Sequence, residues 1–593
     1  MFLSNETKAD WVQTNGPGGG GVWCFTVSGT NLFAGGNGGG VFLSTNSGAG
    51  WTPINSGFTN TYVYSLAAKG SNIFAGTEGG VFRSTNNGTN WTAANTGLPS
   101  TSIPSLAING NTIFAGTKTA GVFRSTDKGA SWTAVNTGLT SVYITSLIVK
   151  GTNIFAGTYG GGVFLSTNNG TSWAPVNGTL TANDKYIYSF AVDGAKLYAG
   201  SYTGVFVSTN NGTSWTSISS GLPANPYVYA FAINGTTLYA GTGSGLFIST
   251  DDGTSWLPAN ADIPTTTILS LVANGGNVFA GTIGNGVFLS SDNGAHWTEA
   301  NSGLKNFYTL SITASGTNLF ATSSYQGVFL STDNGENWTA VNSGLTIESV
   351  FSFFARGSNL FAGTDGAGIF RSTDNGAHWT AANNGIANTT YVIYAFANRG
   401  SNLFAAQYGG GVYLSSNKGA SWTAVNSGLT NLNADALLVN GANTYVGTWL
   451  GGVFRSADNG ASWVPVNTGL TTDSSKEIAA FASSGPNILT GTAGGLYLSS
   501  NNGDNWMPIT NGIPSAWVSA LITSGTNLFA AVQGNGVYLS TDNGLSWTAI
   551  NTGLETTADV YSFAIAGPNL FAGTFGSSVW RRPLSEMIPS PLR

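Results

Sequence analysis

Cysteine is almost absent from this chain. Cys24 is the single one in 593 residues, which excludes an intramolecular disulfide framework and a cysteine-based metal site. It lies in the apolar run GVWCFTV and reads as a buried structural thiol. Charge is scarce too: Asp, Glu, Lys and Arg make up 7% of the residues, against about 25% in an ordinary globular protein. Solubility therefore falls to Asn, Ser, Thr and backbone amides. The formal charge is −6 with Lys and Arg scattered singly, so there is no basic stripe to follow a phosphate backbone, and nucleic acid is not an expected partner. No apolar run approaches the roughly 18 residues of a membrane span, and membrane insertion is not expected. The opening MFLSNETKAD is too short and polar for a signal peptide, so export, if it occurs, implies signals already removed.

Glycine is abundant, at 85 residues, and it recurs in register. Variants of STDNGENW (331–338) place a Trp at 51, 91, 132, 173, 215, 256, 297, 338, 379, 422, 463, 506 and 547, at spacings of 40 to 43 residues. Trp11 stands 40 residues before Trp51 and begins the same phrase without the glycine, making fourteen units. Repetition on this period marks an array of supersecondary units. One unit, 349–385, holds four short runs, VFSFFA, NLFAGT, AGIFRST and HWTAAN, each bounded by Gly, Asn, Ser or Thr. That is the pattern of an antiparallel meander, and no stretch has helical periodicity. Four strands in about 41 residues is the arithmetic of a propeller blade. The expected fold is all-β, a β-propeller of fourteen four-stranded blades.

The repeated box falls in the turn between third and fourth strands. Its third position is Asp in seven copies, Asp127, Asp251, Asp292, Asp333, Asp374, Asp458 and Asp542, and Asn in the other six. Asn keeps the acceptor oxygen and loses the charge, so the box calls for a hydrogen-bond acceptor and not a catalytic carboxylate. Its Gly suits a turn with φ > 0, and its Trp can pack between blades. His296 and His378 each precede a box Trp, where Ser or Asn stands in most copies. Neither is read as catalytic or as a metal ligand. No phosphate loop, nucleophile elbow or metal cluster is visible, and no cofactor or metal is expected.

The motif S/T-x-D-x-G-x-x-W resembles the Asp-box, or BNR repeat, and the resemblance runs over nearly all of residues 11–583. Relatives with this repeat include sialidases, sortilin-type receptors, photosystem assembly factors and the tandem propellers of xyloglucan-active glycoside hydrolases. The low-charge repeats here also resemble secreted proteins of environmental bacteria, which implies an extracellular or cell-surface location. The tandem relatives imply two seven-bladed rings, with one wide ring as the alternative. Residues near Trp11 offer a lone fourth strand and 559–582 three strands without a fourth, so pairing them would remove an edge. On that basis the expected domains are 1–262 plus 556–593, closed by the two termini, and 263–555.

An enzymatic role has little local support. The resemblance to sialidases implies an Arg-Ile-Pro motif, which does not occur. Resemblance to the xyloglucan hydrolases implies two Asp facing across a cleft, but the acidic residues outside the boxes, among them Asp184, Asp193, Asp262, Asp365, Asp435, Asp473 and Asp559, are singletons and read as solvated loop carboxylates. In propellers the loops joining strands two and three, and strand four to the next blade, share one face around the axis, opposite the boxes. At one position of the second-to-third-strand loop this chain varies most, and there it carries Tyr159, Tyr202, Tyr325, Asp365, Tyr408 and Trp449. Aromatic rings suit the apolar faces of sugars. These six are the candidate ligand-binding residues. The expected function is non-catalytic binding or adhesion, to a glycan or extracellular polymer or within a self-associating assembly. The alternatives are a glycoside hydrolase acting on polysaccharide or sialoside, and a protein-assembly scaffold.

Overall fold

The structure, a computed structural model, describes residues 10–13, 21–36, 38–263, 267–301, 309–323, 326–347, 349–356, 359–554, 559–575 and 578–587. Its strands form fourteen four-stranded antiparallel sheets, thirteen of them built from consecutive strands. Val350–Arg356, Asn359–Thr364, Ile369–Ser372 and Thr380–Ala381 make a representative blade. The second strand is buried along nearly its whole length and the fourth is exposed. This gradient follows from the apolar content of NLFAGT and the polar content of the outer edge. The described helical segments are Asn183–Lys185, Ser474–Lys476 and Leu584–Met587, and among the described residues no helix is long and apolar enough to cross a membrane.

The blades divide into two compact units, Gly18–Asn306 and Met1–Pro17 with Phe307–Arg593. In the 18–306 unit seven whole blades follow one another, and the first strand of each packs beside that of the next. The succession closes on itself: Ser270 Oγ of the seventh blade donates to Val22 O of the first at 2.9 Å, and Trp51 Nε1 donates to Ala300 O at 2.7 Å. In the 307–593 unit six whole blades precede a shared one, in which Asp559–Ala566, Asn569–Phe575 and Val579–Pro583 are completed by Val12–Gln13. The register is Val12↔Arg581 and Gln13↔Trp580. Thr309 N–H then donates to Thr574 O at 3.0 Å.

The two termini thus share a blade as expected, but the domain boundaries differ from 1–262 plus 556–593 and 263–555. The blade 268–299 belongs with the blades before it. Its Phe279 and Val287 pack into one core with Val22, Leu32, Phe42 and Trp51, which a division at 262 would open to water. The shared blade likewise buries Trp11 and Trp580 with Phe529, Val537 and Leu539 of the preceding blade.

Consecutive blades are clasped by the box Trp. Trp422 N–H donates to Asn384 O of the preceding blade at 2.8 Å, and its Nε1 donates to Ala382 O at 2.9 Å. The same pair of bonds recurs at Trp91, Trp132, Trp173, Trp379, Trp463 and Trp506. The glycine after the accepting carbonyl lies against the Trp backbone: a Cβ on Gly385 (φ 90°) would stand 1.9 Å from Trp422 O. Where that glycine is missing, the clasp changes chemistry, and Trp297 N–H is taken by the Asp262 carboxylate at 3.0 Å.

The box itself is a hydrogen-bonded turn. Asp333 Oδ1 accepts from Ser331 Oγ at 2.8 Å and from Asn337 N–H at 2.8 Å, while Gly335 N–H donates to Ser331 Oγ at 2.9 Å. Asn334 and Gly335 both have positive φ, 58° and 85°. Asn copies repeat the acceptor role: Asn168 Oδ1 takes Ser166 Oγ and Ser172 N–H at 3.0 and 2.9 Å. Its amide then donates to Ser172 Oγ at 2.8 Å, where Asp127 instead accepts from Ser131 Oγ at 2.5 Å. His296 and His378 are outward-facing partners of the box carboxylates Asp292 and Asp374, each at 2.8 Å. Asp333→Asn is accordingly expected to leave the melting temperature nearly unchanged. Gly335→Val and Gly385→Ala should each cost about 1–3 kcal/mol, because both put a Cβ on a left-handed residue; chemical denaturation of the three variants measures the difference.

Candidate functional site

Each blade brings three positions to the face opposite the boxes. The residue in the turn after the second strand donates its N–H to the carbonyl of the residue just before the first strand: Tyr408 to Val392 at 3.0 Å, Trp449 to Asn433 at 2.9 Å, Tyr159 to Tyr143 at 3.1 Å and Tyr202 to Tyr186 at 3.0 Å. The third position is the second residue of the first strand, which sits at a register shift against the second strand, as Tyr394 does between Ile393 and Ala395. A bulge re-aims the side chain it carries. Repeated around a unit, these positions line the place where the blades converge.

In the 307–593 unit they enclose a cavity of about 510 Å³. All seven blades contribute to its wall, through Leu310, Phe351, Tyr394 and Tyr408, Asp435 and Trp449, Glu477 with Ile478 and Ala479, Trp517 and Ser519, and Tyr561. Tyr408 and Trp449, both expected from the sequence, are therefore in the wall, 39% and 38% exposed. Leu450, beside Trp449, holds φ 61°, an unfavourable conformation for a branched residue and of a kind that collects at binding sites. Asp365 lies in the equivalent turn with its N–H on Ser349 O at 3.0 Å; it is outside the cavity wall and acts on it only through its field at Tyr394. Tyr325 lies outside the described residues.

Asp435 is the unexpected member. Burial first, and the neighbouring Glu477 second, push its carboxyl up to about 7. Its Oδ1 is buried without a hydrogen-bond partner, as is Trp517 Nε1. Burial also raises Glu477, and burial followed by the fields of Asp435, Asp365 and Tyr408 raises Tyr394. The expectation of a solvated loop carboxylate fails for Asp435, because the bulge turns it inward. It fails for Asp184 as well, which is buried and accepts from Thr181 N–H, Thr181 Oγ1 and Thr203 Oγ1 at 2.6 to 2.8 Å; Asp262 is an exposed turn carboxylate, as expected, and takes the clasp role besides.

In three consecutive blades of the 18–306 unit the same positions are mostly tyrosine. Tyr143 stacks on Tyr159 with ring centroids 5.2 Å apart, and Tyr159 meets Tyr186 edge-on at 4.9 Å. Tyr202 meets Tyr227 edge-on at 4.7 Å, and Tyr188 lies between Tyr227 and Tyr229 at 6.1 and 5.4 Å. Tyr227 holds φ 49°. Tyr159 and Tyr202 thus belong to one aromatic face, although each touches other tyrosines and not its expected neighbour. The bulge residues Phe351, Tyr394, Asp435, Tyr561, Tyr188 and Tyr229 were not singled out from sequence. Their signal was there: the residue after the first β-branched or small residue of the strand varies from unit to unit, as in VFSF, IYAF and ADAL.

A carboxyl whose pKa is raised by folding stabilises the protein below its unfolded value near 4 and loses that contribution as pH rises through about 7. Asp435→Asn removes the buried charge. Its melting temperature should match the parent at pH 3, begin to exceed it above pH 4 and exceed it fully at pH 8, which calorimetric scans of the pair across this range will show.

Among solved structures, the chain is similar to the GH74 enzyme of Niastella koreensis, with 18% identity over 96% of this chain and 99% of that one and a TM-score of 0.68. It is similar to the GH74 xyloglucanase of Xanthomonas campestris, with 17% identity over 97% and 99% and a TM-score of 0.72. It is also similar to PorZ, a surface component of the type-IX secretion system of Porphyromonas gingivalis, with 16% identity over 97% and 87% and a TM-score of 0.61. These likenesses show the fold. No curated protein matches the chain. The family model described as the DUF6242 beta propeller domain matches residues 15–137, 178–307 and 304–449, and the chain belongs to that β-propeller family.

Proposed function

We propose that this protein is a carbohydrate-binding β-propeller of the bacterial cell surface or exterior, with the cavity of the 307–593 unit as its principal site. The observation that carries the reading is the wall of that cavity, where six aromatic side chains surround a small polar group of Asp435, Glu477 and Ser519. Rings that present partly exposed faces stack on the C–H faces of sugars, and a few polar atoms then fix orientation. The low charge of the rest of the surface fits an uncharged or weakly charged polymer. Similarity to two GH74 enzymes and to a secretion-system surface component supports the setting at the level of fold. The tyrosine face of the 18–306 unit offers further aromatic rings, with Glu78 and Lys118 at the equivalent turn positions, and serves as a second, weaker platform. Each aromatic contact contributes about 1 kcal/mol, so useful affinity comes from many copies displayed together.

A glycan array followed by calorimetry tests this reading. Trp449→Ala and Tyr408→Ala should each weaken binding of the strongest ligand by about fivefold, and Tyr159→Ala by less. Undiminished binding in the first two variants removes the cavity from the account.

Asp435 favours one other reading. A carboxylic acid with a pKa near 7 beside a second acidic group is the equipment of a general acid in glycoside hydrolysis. In that case reducing ends should be released from a β-glucan or xyloglucan fastest below pH 7, where Asp435 is protonated, and release should fall as pH rises and vanish in Asp435→Asn. Intact oligosaccharide after prolonged incubation at pH 6 leaves binding alone.

A further inference from the structure

We propose that the cavity of the 307–593 unit selects a saccharide bearing a protonated amine, an unacetylated hexosamine, over its neutral and anionic counterparts. The inference rests on the carbohydrate-binding reading above and adds the charge of the ligand to it. The two carboxyl groups in the wall are Asp435 and Glu477, and among the described residues no Lys, Arg or His lines the cavity. The aromatic side chains around them, Phe351, Tyr394, Tyr408, Trp449, Trp517 and Tyr561, present ring faces whose quadrupole attracts a cation. A carboxylate or sulfate on the ligand would meet like charge there, with no donor cluster to hold it.

Two orphaned atoms sharpen the choice. Asp435 Oδ1 is an acceptor without a donor, and Trp517 Nε1 a donor without an acceptor. An ammonium brings three donors, and the adjacent hydroxyls of a sugar bring acceptors. The groups facing Asp435 are Glu477 from the following blade and Tyr394 from the preceding one, with Asp365 beyond Tyr394. None of them is cationic. A bound ammonium therefore supplies the compensating charge that the wall lacks, and it should draw a proton off Asp435 as it binds. Acetylation of the amine removes both the charge and two of its donors.

Calorimetry on the full chain with the hexamer of glucosamine, the hexamer of N-acetylglucosamine and cellohexaose provides the test. At pH 6.5 the glucosamine hexamer should bind at least about tenfold more tightly than the other two. Binding should release protons, read as heats that differ between buffers of unlike ionisation enthalpy. Asp435→Asn with Glu477→Gln should abolish the preference and the proton release while still binding cellohexaose, and Glu477→Gln alone should reduce the preference if the double variant does not fold. Equal affinity for all three hexamers, or a preference that survives both variants, overturns the inference and leaves the carbohydrate reading standing. Absence of binding to every oligosaccharide overturns both.

Discussion

The clasp between a box Trp and the preceding blade is the interaction on which the other features depend. A four-stranded sheet of this composition cannot bury both faces alone, so each blade is stable only against neighbours. The clasp sets how neighbours meet. Two donors from one residue, the N–H and Nε1 of Trp422 for example, reach two carbonyls of the preceding blade, and the indole closes the core between the sheets. Both bonds are directional, so the angle between blades is set by geometry and not by apolar contact alone. The box exists to deliver that Trp: its turn is held by an acceptor oxygen and two left-handed residues, and the indole enters three residues after the glycine.

A regular rim frees the opposite face to vary. Because register, turn and inter-blade spacing are maintained by the box side, substitutions in the second-to-third-strand turn and at the first-strand bulge leave the cores intact. The two units use that freedom differently. One carries a run of tyrosines whose rings contact one another; the other gathers rings and carboxyl groups about a cavity. A functional site made this way needs no local motif, since every blade contributes only one to three side chains, separated by about 40 residues in the chain from those of the next.

That separation explains which parts of the site were legible in the sequence. Tyr408 and Trp449 stood out because they occupy one position of a repeat and differ from their equivalents, and the turn places them where repeat geometry says they belong. Asp435 was visible only as one acidic singleton among many. Its meaning depends on a bulge that turns it inward and on Glu477 of the next blade, and neither follows from its own surroundings in sequence. Asp184 was misjudged for the same reason: its partners are hydroxyls supplied by the fold.

The sequence by itself determined the blade, because alternation, turn residues and a box at 40 to 43 residues leave one local structure that satisfies the backbone. It determined also that the box carries no catalytic charge, since Asn replaces Asp with the same acceptor bonds. Only the tertiary structure decided where one unit ends and the next begins. The blades on either side of residue 262 and of residue 306 carry the same four-strand pattern and the same box, so the repeat does not mark where a unit ends; closure depends on which first strand the last blade finds beside it, and that is Val22–Ser28. The tertiary structure also decided the ionisation of Asp435, because desolvation is a property of the assembled wall and of no single strand.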